Sequence, residues 1–450
     1  MKSIIFKSAL LATGWANNVR VDMDENGIIT GIEQNVKSPD NLQLGYALPG
    51  MNNIHSHAFQ RAMAGLAEYS TSPTDSFWTW RDVMYRFAEK VTAGDLLSIA
   101  SQLYMEMLKA GYISVCEFHY LHHDDEDNMN MSRSILQAAE KAGIALCHLP
   151  VLYMTSGFGG SPLGAEQKRF EHSVDDFQNL LQQIKTEMRE HPNQRLGMAF
   201  HSLRAVPEQA LKESLQNIKE NPIHIHIAEQ NQEVRDCIAH YGKRPVECLL
   251  DNFDVNENWC LVHATHLNDQ EIMRLADSGA VAGLCPTTEA NLGDGLFPLK
   301  QYLEAGGAIA IGSDSHISVS VNEELRLLEY GQRLHYQKRN IATSAHEIHT
   351  GTNLYNKCLS GGARASGFDN GSIEVGKRAD IIVLDQTSPL LVGTPKENII
   401  DRLIFSGNVS PVKDVYVAGN KMVSDYEHCF EVEIKENFAK TVMRLQKYLD

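Results

Sequence analysis

The sequence has little positive charge, and what it has is not concentrated in one place. Forty lysines and arginines stand against 57 aspartates and glutamates, which gives a formal net charge of -17. A chain this acidic repels nucleic-acid phosphates and anionic membrane surfaces. No segment reaches the roughly 18 apolar residues that a membrane span requires. We therefore expect neither nucleic acid nor a membrane as a partner.

Paired cysteines are also missing. The eight cysteines form no CxxC motif, and several lie in apolar, strand-like runs, where a free thiol packs as a small hydrophobic group (Cys116, Cys147, Cys260, Cys285). The opening stretch "MKSIIFKSALLATGWANN" only faintly imitates a secretion signal, because Lys7 divides its apolar run. These features indicate a reducing compartment, and we expect a cytoplasmic protein.

No linker rich in proline, glycine or serine divides the middle of the 450-residue chain, and no sequence repeat is visible. Instead, short apolar runs alternate with longer helical stretches, a pattern typical of a parallel sheet. The eight runs are "ALPGMNNIHSH", "YISVCEFHY", "ALCHLPVLY", "RLGMAFHSLR", "IHIHIAEQ", "WCLVHATHL", "AVAGLCPTTEAN" and "AIAIGSDSH". We therefore predict an α/β fold, a TIM-like (β/α)8 barrel with its active site at the C-terminal strand ends.

The two flanks of the chain have a different pattern. Residues 1–49 and 372–425 carry short β patterns interrupted by Asn-Gly, Gly-Lys and Gly-Asn turns. They predict a small β-sandwich domain built from both chain ends, beside a catalytic barrel over residues 50–371. Apolar residues at helical spacing predict a C-terminal helix within residues 426–450.

Histidines and carboxylates at the predicted strand ends suggest a metal site. In a strand, residues i and i+2 share a face, so His55 and His57 can approach one ion together. His226 ends the fifth run and Asp314 ends the eighth. Three imidazoles and one carboxylate would converge in the barrel mouth and leave a position for water.

The fifth run offers two histidines, His224 and His226. His226 stands next to the strand end, and Glu229, which follows it, must lie near the metal-bound water. We therefore choose His226 as the ligand and expect His224 to lie lower in the barrel or behind the ligands.

The motifs "PGMNNIHSH", "HIHIAEQ", "HATH" and "GSDSH", in this order, resemble the amidohydrolase superfamily in its deaminase branch. The longer motifs "HSHAFQRAMAGLAE", "FWTWR", "HSLRAV", "CPTTEANLGDG" and "GSDSHISVSVNEELRLLEYGQRL" are similar to those of the enzymes that deiminate N-formimino-L-glutamate. This resemblance covers nearly the whole chain.

The resemblance implies hydrolysis of N-formimino-L-glutamate, a small dianionic amino-acid derivative, to N-formyl-L-glutamate and ammonia in histidine degradation. It also implies a homodimer. Superfamily members with two metals bridge them with a lysine, but "RLGMAFHSLRAV" offers none on the fourth strand. We therefore expect one divalent ion per chain. Zinc suits three imidazoles and one carboxylate, although iron or manganese remains open.

The resemblance also assigns catalytic roles. Glu229 would be the general acid and base, His263 would orient the attacking hydroxide and stabilise the developing charge, and Asp314 would hold the metal and accept a hydrogen bond from the water. His266 and His316 are not expected to touch the metal or the substrate.

The resemblance also implies that two arginines, which taken alone would be interpreted as surface residues in ion pairs, bind the two substrate carboxylates. A guanidinium matches a carboxylate bidentately, and Arg81 and Arg204 follow the first and fourth predicted strands. The resemblance adds Gln60, Tyr120 and His201 as hydrogen-bonding partners for the formimino group and the glutamate portion.

Two other functions remain open at this point. A deaminase acting on a nucleobase-like or triazine ring would use the same metal, Glu229 and His263, but a neutral ring does not require the two arginines. A non-catalytic barrel acting as a scaffold would have no reason to keep every ligand and the acid, so a metal assay would expose it.

Overall fold

The protein is described here by a computed structural model, and all structural statements concern the residues that it describes. These are 2–37, 42–69, 77–124, 127–188, 191–217, 219 and 221–448. The strands are β1 Lys2–Leu11, β2 Gly14–Met23, β3 Ile29–Glu33, β4 Leu42–Pro49, β5 Met51–Ser56, β6 Tyr112–His119, β7 Ala145–Leu152, β8 Gln194–Leu196, β9 Met198–Phe200, β10 Ile223–Ile227, β11 Trp259–His263, β12 Val281–Leu284, β13 Ala308–Ile311, β14 Ile381–Leu384, β15 Val412–Val417, β16 Asn420–Ser424 and β17 Glu427–His428.

The helices mostly follow the barrel strands and cover them from outside. They are α1 Phe77–Lys90, α2 Ala93–Ala110, α3 Asn130–Ala142, α4 Val174–Glu187, α5 Glu208–Asn217, α6 Asn231–Tyr241, α7 Pro245–Asn252, α8 Asp269–Ser278, α9 Pro286–Leu292, α10 Leu299–Glu304, α11 Val321–Tyr336, α12 Thr350–Ser366, α13 Ile399–Phe405 and α14 Glu431–Leu445. Within the described chain, no helix has both the length and the apolar composition needed to cross a membrane.

Local sequence explains where these helices begin and end. Thr92 caps α2 by accepting a hydrogen bond from the Asp95 backbone N–H, and the Asp95 side chain accepts one from the Thr92 N–H in return. Such a cap satisfies backbone donors that have no partner within the helix. The same helix ends at Gly111, whose φ of 97° is a left-handed conformation that glycine adopts without strain.

The parallel sheet closes into the predicted barrel. Its strand order is β5-β6-β7-β9-β10-β11-β12-β13. The ring is completed where the His57 N–H donates to the Asp314 carbonyl at 3.1 Å and the Asp314 N–H donates to the His55 carbonyl at 3.0 Å. The first and last barrel strands are therefore joined at the point where the predicted metal ligands stand.

The fourth predicted run differs from the expectation of one continuous strand. It is divided at Gly197 into β8, which pairs with β7, and β9, which pairs with β7 and β10. A Cβ on Gly197 would lie 2.6 Å from both a Leu149 methyl carbon and the Pro222 carbonyl oxygen. Neighbouring groups approach the backbone so closely here that only glycine fits.

The two chain ends build a second sheet, with the order β17-β16-β15-β14-β4-β1-β2-β3. The rings of Phe6 on β1 and Tyr416 on β15 lie 6.0 Å apart although β4 and β14 stand between those strands. The sheet therefore folds over on itself and encloses an apolar core of its own, as expected for a small sandwich. It continues past residue 425 through β17, and of the predicted C-terminal helix residues 449 and 450 lie outside the described chain.

Candidate active site

Four side chains from three strand ends bring their ligand atoms to one point. His55 Nε2 lies 3.2 Å from His57 Nε2 and 3.0 Å from His226 Nε2. Asp314 Oδ1 lies 3.4 Å from His55 Nε2 and 3.3 Å from His57 Nε2. Tetrahedral ligands bonded to an ion at about 2.0 to 2.1 Å stand about 3.3 to 3.4 Å apart. The three imidazoles therefore form one group that could hold a metal ion, and Asp314 Oδ1 stands at the same spacing from two of them.

Hydrogen bonds fix which ring nitrogen of His57 and of His226 is available to bind a metal. His57 Nδ1 donates to the Phe118 carbonyl at 2.9 Å, and His226 Nδ1 donates to the His201 carbonyl at 3.0 Å. Their Nε2 atoms therefore carry lone pairs that point towards His55, as in the ligand set of a metal ion. Burial, the largest cause in each case, lowers the pKa of all three imidazoles and keeps them neutral, as metal ligands must be.

The serine between the first two histidines points to the other face of the strand. Ser56 Oγ donates to Glu117 Oε2 at 2.5 Å, and the same oxygen accepts a hydrogen bond of 3.0 Å from Tyr104 OH. Burial raises the pKa of Glu117 to about 7. The period of two in a strand thus turns both histidines inwards, while the serine anchors the strand end from behind.

Two further groups, Glu229 and His263, stand beside the candidate metal ligands. His263 Nε2 lies 3.7 Å from Glu229 Oε1 and 3.6 Å from Asp314 Oδ2. Burial raises the pKa of Glu229 to about 7, close to that of a group that exchanges protons at neutral pH. Burial lowers the pKa of His263, but the charge of Glu229 and a hydrogen bond to Glu289 outweigh it, and the pKa rises to about 10.

Backbone strain is concentrated at the same strand ends. Five residues there that are not glycine adopt left-handed conformations: Ala228 (φ 51°), His263 (φ 68°), Ala264 (φ 47°), Asp314 (φ 45°) and His316 (φ 59°). Such conformations cost free energy and persist only where the surrounding structure holds them, most often at functional sites. These conformations occur where the chain turns at the mouth of the barrel.

Nearly all of the predicted site residues line one cavity in the barrel mouth. They are His57, Gln60, Arg81, Tyr120, His201, Arg204, His226, Glu229, His263 and Asp314. His55 does not line the cavity; it lies beneath it and is fully buried. Sequence positions spread from 55 to 314 therefore meet at a single place.

Two positive charges line this cavity, and both lie close to the ring of Trp78. The guanidinium carbon of Arg81 lies 4.5 Å from the centroid of the Trp78 ring, and that of Arg204 lies 5.9 Å from it. Arg204 donates to the Ser156 carbonyl at 3.4 Å, and Arg81 Nε is buried without a hydrogen-bond partner. Among the described residues, neither arginine forms an ion pair with a carboxylate. Cation–π contacts hold both groups in place and leave their charge for a ligand.

Neutral hydrogen-bonding groups complete the cavity wall. Gln60 Nε2 donates to Tyr120 OH at 2.8 Å, while Gln60 Oε1 is buried without a partner. His201 Nδ1 lies 3.2 Å from Ser202 Oγ. Burial, and after it the charge of Arg204, lowers the pKa of His201 well below its usual value. These side chains therefore offer donors and acceptors to a bound molecule without adding charge.

Comparison with known proteins places the chain in a family. The family model described as the amidohydrolase family matches residues 46–422. The chain belongs to the amidohydrolase family. Its members depend on a metal, and the cluster of three histidines and one aspartate is the candidate metal site of this amidohydrolase.

Individual relatives are similar over nearly their whole length. A formimidoylglutamate deiminase from Pseudomonas aeruginosa is 47% identical over 99% of this chain and 100% of its own. A 5-methylthioadenosine/S-adenosylhomocysteine deaminase from Haloarcula marismortui is 27% identical over 90% of this chain and 86% of its own. The crystal structure of an amidohydrolase from Brucella melitensis superimposes with a TM-score of 0.94 at 41% identity, covering 99% of this chain and 100% of that one.

Other histidines that end predicted strands stay outside the cavity of this amidohydrolase. His224 lies lower in the barrel, where its Nε2 donates to the Ala365 carbonyl at 2.8 Å. His316 is held by two serine hydroxyls, with Ser313 Oγ 2.9 Å from its Nδ1 and Ser56 Oγ 3.1 Å from its Nε2. His266 does not line the cavity either.

The sequence did not reveal two carboxylates that hold Glu229 and His263 in place. Glu233 accepts hydrogen bonds from the Ala228 and Glu229 N–H groups at 3.0 and 3.1 Å, which fixes the backbone that carries Glu229. Glu289 lies 3.2 Å from His263 Nδ1. Glu233 could have been found from the sequence, since an acidic residue in the first turn of a helix binds free N–H groups. Glu289 could not, because its contact depends on β12 lying beside β11.

Proposed function

We propose that this amidohydrolase hydrolyses N-formimino-L-glutamate to N-formyl-L-glutamate and ammonia, as an enzyme of histidine degradation. The observation that carries the proposal is the charge distribution of the cavity. Arg81 and Arg204 both lie against the Trp78 ring without carboxylate partners among the described residues, and Glu229 and Asp314 both lie beside His263. The substrate has the complementary shape, with two carboxylates on one part and a basic formimino group on the other. The name of the 47% identical relative supports the same substrate.

The metal we propose is one zinc ion held by His55, His57, His226 and Asp314. The spacing of these atoms and the neutral imidazoles support it. A divalent ion in such a site acidifies a water molecule, so that hydroxide is available near neutral pH. The segment Gln194–Phe200 of the fourth strand contains no lysine that would bridge a second ion.

Glu229 is the group that we propose transfers the protons. In the proposed reaction water adds its oxygen to the formimino carbon, the C=N bond becomes C=O, and nitrogen leaves as ammonia with the two hydrogens of the water. An amide-like nitrogen leaves only when it is protonated, so one group must carry protons from the oxygen to the nitrogen. Glu229, with its pKa raised to about 7 by burial, suits that task.

The other groups orient the reactants. His263 Nε2 donates a hydrogen bond to the attacking oxygen and stabilises the charge that develops there, and the Asp314 carboxylate accepts a hydrogen bond from the same water. Arg81 and Arg204 bind the substrate carboxylates, each through a bidentate fork. Gln60, Tyr120 and His201 hydrogen-bond the formimino group and the glutamate portion.

Product analysis tests the reaction. The purified protein is incubated with N-formimino-L-glutamate, and the nitrogen-containing product is identified. The proposal expects ammonia and N-formyl-L-glutamate in equal amounts. Formamide with glutamate indicates cleavage of the other C–N bond, and turnover of a neutral ring in place of this substrate supports a ring deaminase.

Three expectations accompany this proposal. We propose a homodimer, which rests on the family resemblance alone and is tested by light scattering. The cytoplasmic location is supported by the eight cysteines, all of which are free and seven of which are buried. We also propose that residues 50–371 form the catalytic barrel domain, with residues 1–49 and 372–425 as the sandwich domain, whose sheet extends to β17, followed by the helix within 426–450.

A further inference from the structure

We propose that Glu289 is a positioning residue, which holds the His263 imidazole in the orientation that the reaction needs. The inference deepens the proposed function and rests on it for the role of His263. Glu289 does not line the cavity, so it acts on the substrate only through the histidine.

The contacts of Glu289 are direct. His263 Nδ1 lies 3.2 Å from Glu289 Oε1, and the Cys285 N–H donates to the same oxygen at 2.8 Å. The Cys285 N–H already donates to Oε1, so this oxygen is an acceptor and His263 Nδ1–H is the donor of the contact between the two side chains. Glu289 and His263 are 4% and 1% exposed, which removes water as a competing partner.

The chain places Glu289 there by folding back on itself. Strand β12 ends at Leu284, Cys285 leads into α9, and Glu289 stands one turn inside that helix. Its side chain turns back to the Cys285 N–H, at the edge where β12 pairs with β11. Strand β11 ends at His263, so the carboxylate meets the ring from the side that faces away from the cavity.

One consequence follows for His263. Because Nδ1–H donates to Glu289, Nε2 is fixed towards Glu229 and Asp314, at 3.7 and 3.6 Å. A carboxylate that binds the far nitrogen of a catalytic histidine supplies that orientation.

A merely structural role can be separated from this one, because a second carboxylate anchors the same helix. Glu324 on α11 accepts hydrogen bonds from the Thr287 N–H at 2.9 Å and from Thr287 Oγ1 at 2.6 Å. It is fully buried, and burial raises its pKa well above the usual value. Glu324 thus holds α9 as Glu289 does, without facing His263.

The experiment compares three variants. Glu289→Gln keeps an oxygen that accepts both hydrogen bonds but removes the charge, Glu289→Ala removes both, and Glu324→Gln is the matched control. Loss of a residue that orients a ligand or a catalytic histidine costs on the order of 10- to 100-fold or more. We expect kcat to fall about 10-fold or more in Glu289→Ala and less in Glu289→Gln, whose amide oxygen still accepts the hydrogen bond from His263, with KM within about threefold and metal content unchanged. Glu324→Gln should keep the parental kcat within about twofold.

A second readout does not depend on the substrate. In enzyme labelled with 15N-histidine, the His263 Nδ1–H proton should give a downfield resonance in the parent, a shifted one in Glu289→Gln and none in Glu289→Ala. An unprotonated Nδ1 in the parent, parental kcat in Glu289→Ala, or an equal loss of kcat in Glu324→Gln would overturn the proposal. Failure of the parent to release ammonia from N-formimino-L-glutamate, with the resonance present, refutes the proposed function instead.

Discussion

Two groups of histidines lie on or beside the barrel strands, and only one has the geometry of a metal site. The metal-site histidines are His55, His57 and His226, and the outer histidine cluster consists of His119, His122, His123, His148 and His172. In the first group the Nε2 atoms converge within 3.0 to 3.2 Å of His55 Nε2 and meet an aspartate. In the second the rings pack against one another, with centroids 4.4 Å apart for His122 and His172 and 5.2 Å apart for His119 and His148.

The difference lies in where the nitrogens point. Among the described residues, no three nitrogens of the outer histidine cluster lie within 4.8 Å of one another, and no carboxylate joins them there. Burial lowers the pKa of the histidines of both groups that are fully enclosed, so a lowered pKa does not mark a ligand. Convergence of lone pairs with a carboxylate, and not the density of histidine, indicates an ion.

The largest effect is expected from removing a metal ligand. His226→Gln should lose the bound ion and with it essentially all turnover, because the remaining ligands no longer enclose the ion. His224→Gln, two residues earlier on the same strand, is the control and should keep its metal and its activity, since its ring binds the Ala365 carbonyl. Elemental analysis and ammonia release measure both. Equal metal loss in the two variants contradicts the choice of His226.

The next effect concerns the acid and base. Glu229→Gln keeps the shape of the side chain but carries no proton, so kcat should fall about 10²- to 10⁴-fold while the metal content stays at the parental level. Turnover near the parental rate would show that another group moves the protons. Loss of the ion in this variant would mean that Glu229 is a metal ligand and that the proposed set of four ligands is wrong.

The third-largest effect is expected from removing either cavity arginine. Truncating one partner of a desolvated charge pair costs about 2 to 4 kcal/mol, so Arg81→Ala and Arg204→Ala should each lower kcat/KM for N-formimino-L-glutamate about 30- to 1000-fold. Lysine at either position should restore only part of the loss, because it supplies charge without the planar fork. If both alanine variants retain parental kcat/KM, the two arginines do not bind the substrate carboxylates. That result would favour the function of a ring deaminase.

The outer histidine cluster should affect stability alone. Burial lowers the pKa of His148 from 6.5 to about 3, so below pH 6.5 the unfolded chain binds a proton that the folded chain does not. Stability contributed by neutral His148 is therefore present above pH 6.5 and is lost as the pH falls towards 3. Between pH 7 and 5 the parent should lose about 2 kcal/mol more free energy of unfolding than His148→Gln. Urea unfolding measures this difference. A change in metal content in this variant would break the distinction between the two groups.

Short-range patterns were enough to predict much of this arrangement. The period of two placed His55 and His57 on one face, and the rule that barrel sites lie at C-terminal strand ends brought His226, Glu229 and Asp314 together. The barrel and the sandwich built from both chain ends are confirmed. These features follow from local order along the chain.

The remaining features depend on neighbours that the sequence does not show. The contact of Glu289 with His263 requires β12 to lie beside β11, and the break at Gly197 arises from Leu149 and the Pro222 carbonyl. His119 also ends a strand, as predicted, but its ring packs outside the barrel because the alternating side chains send Phe118 inwards. Strand phase, and not position alone, decides which strand-end histidine reaches the site.

The most direct test of the account is a titration of the metal-free protein with Zn²⁺ while ammonia release from N-formimino-L-glutamate is followed. The account predicts that activity rises in proportion to added zinc and stops rising at one ion per chain, with N-formyl-L-glutamate formed in the same amount as ammonia. Activity that requires two ions per chain, or no ammonia at any zinc concentration, would contradict it.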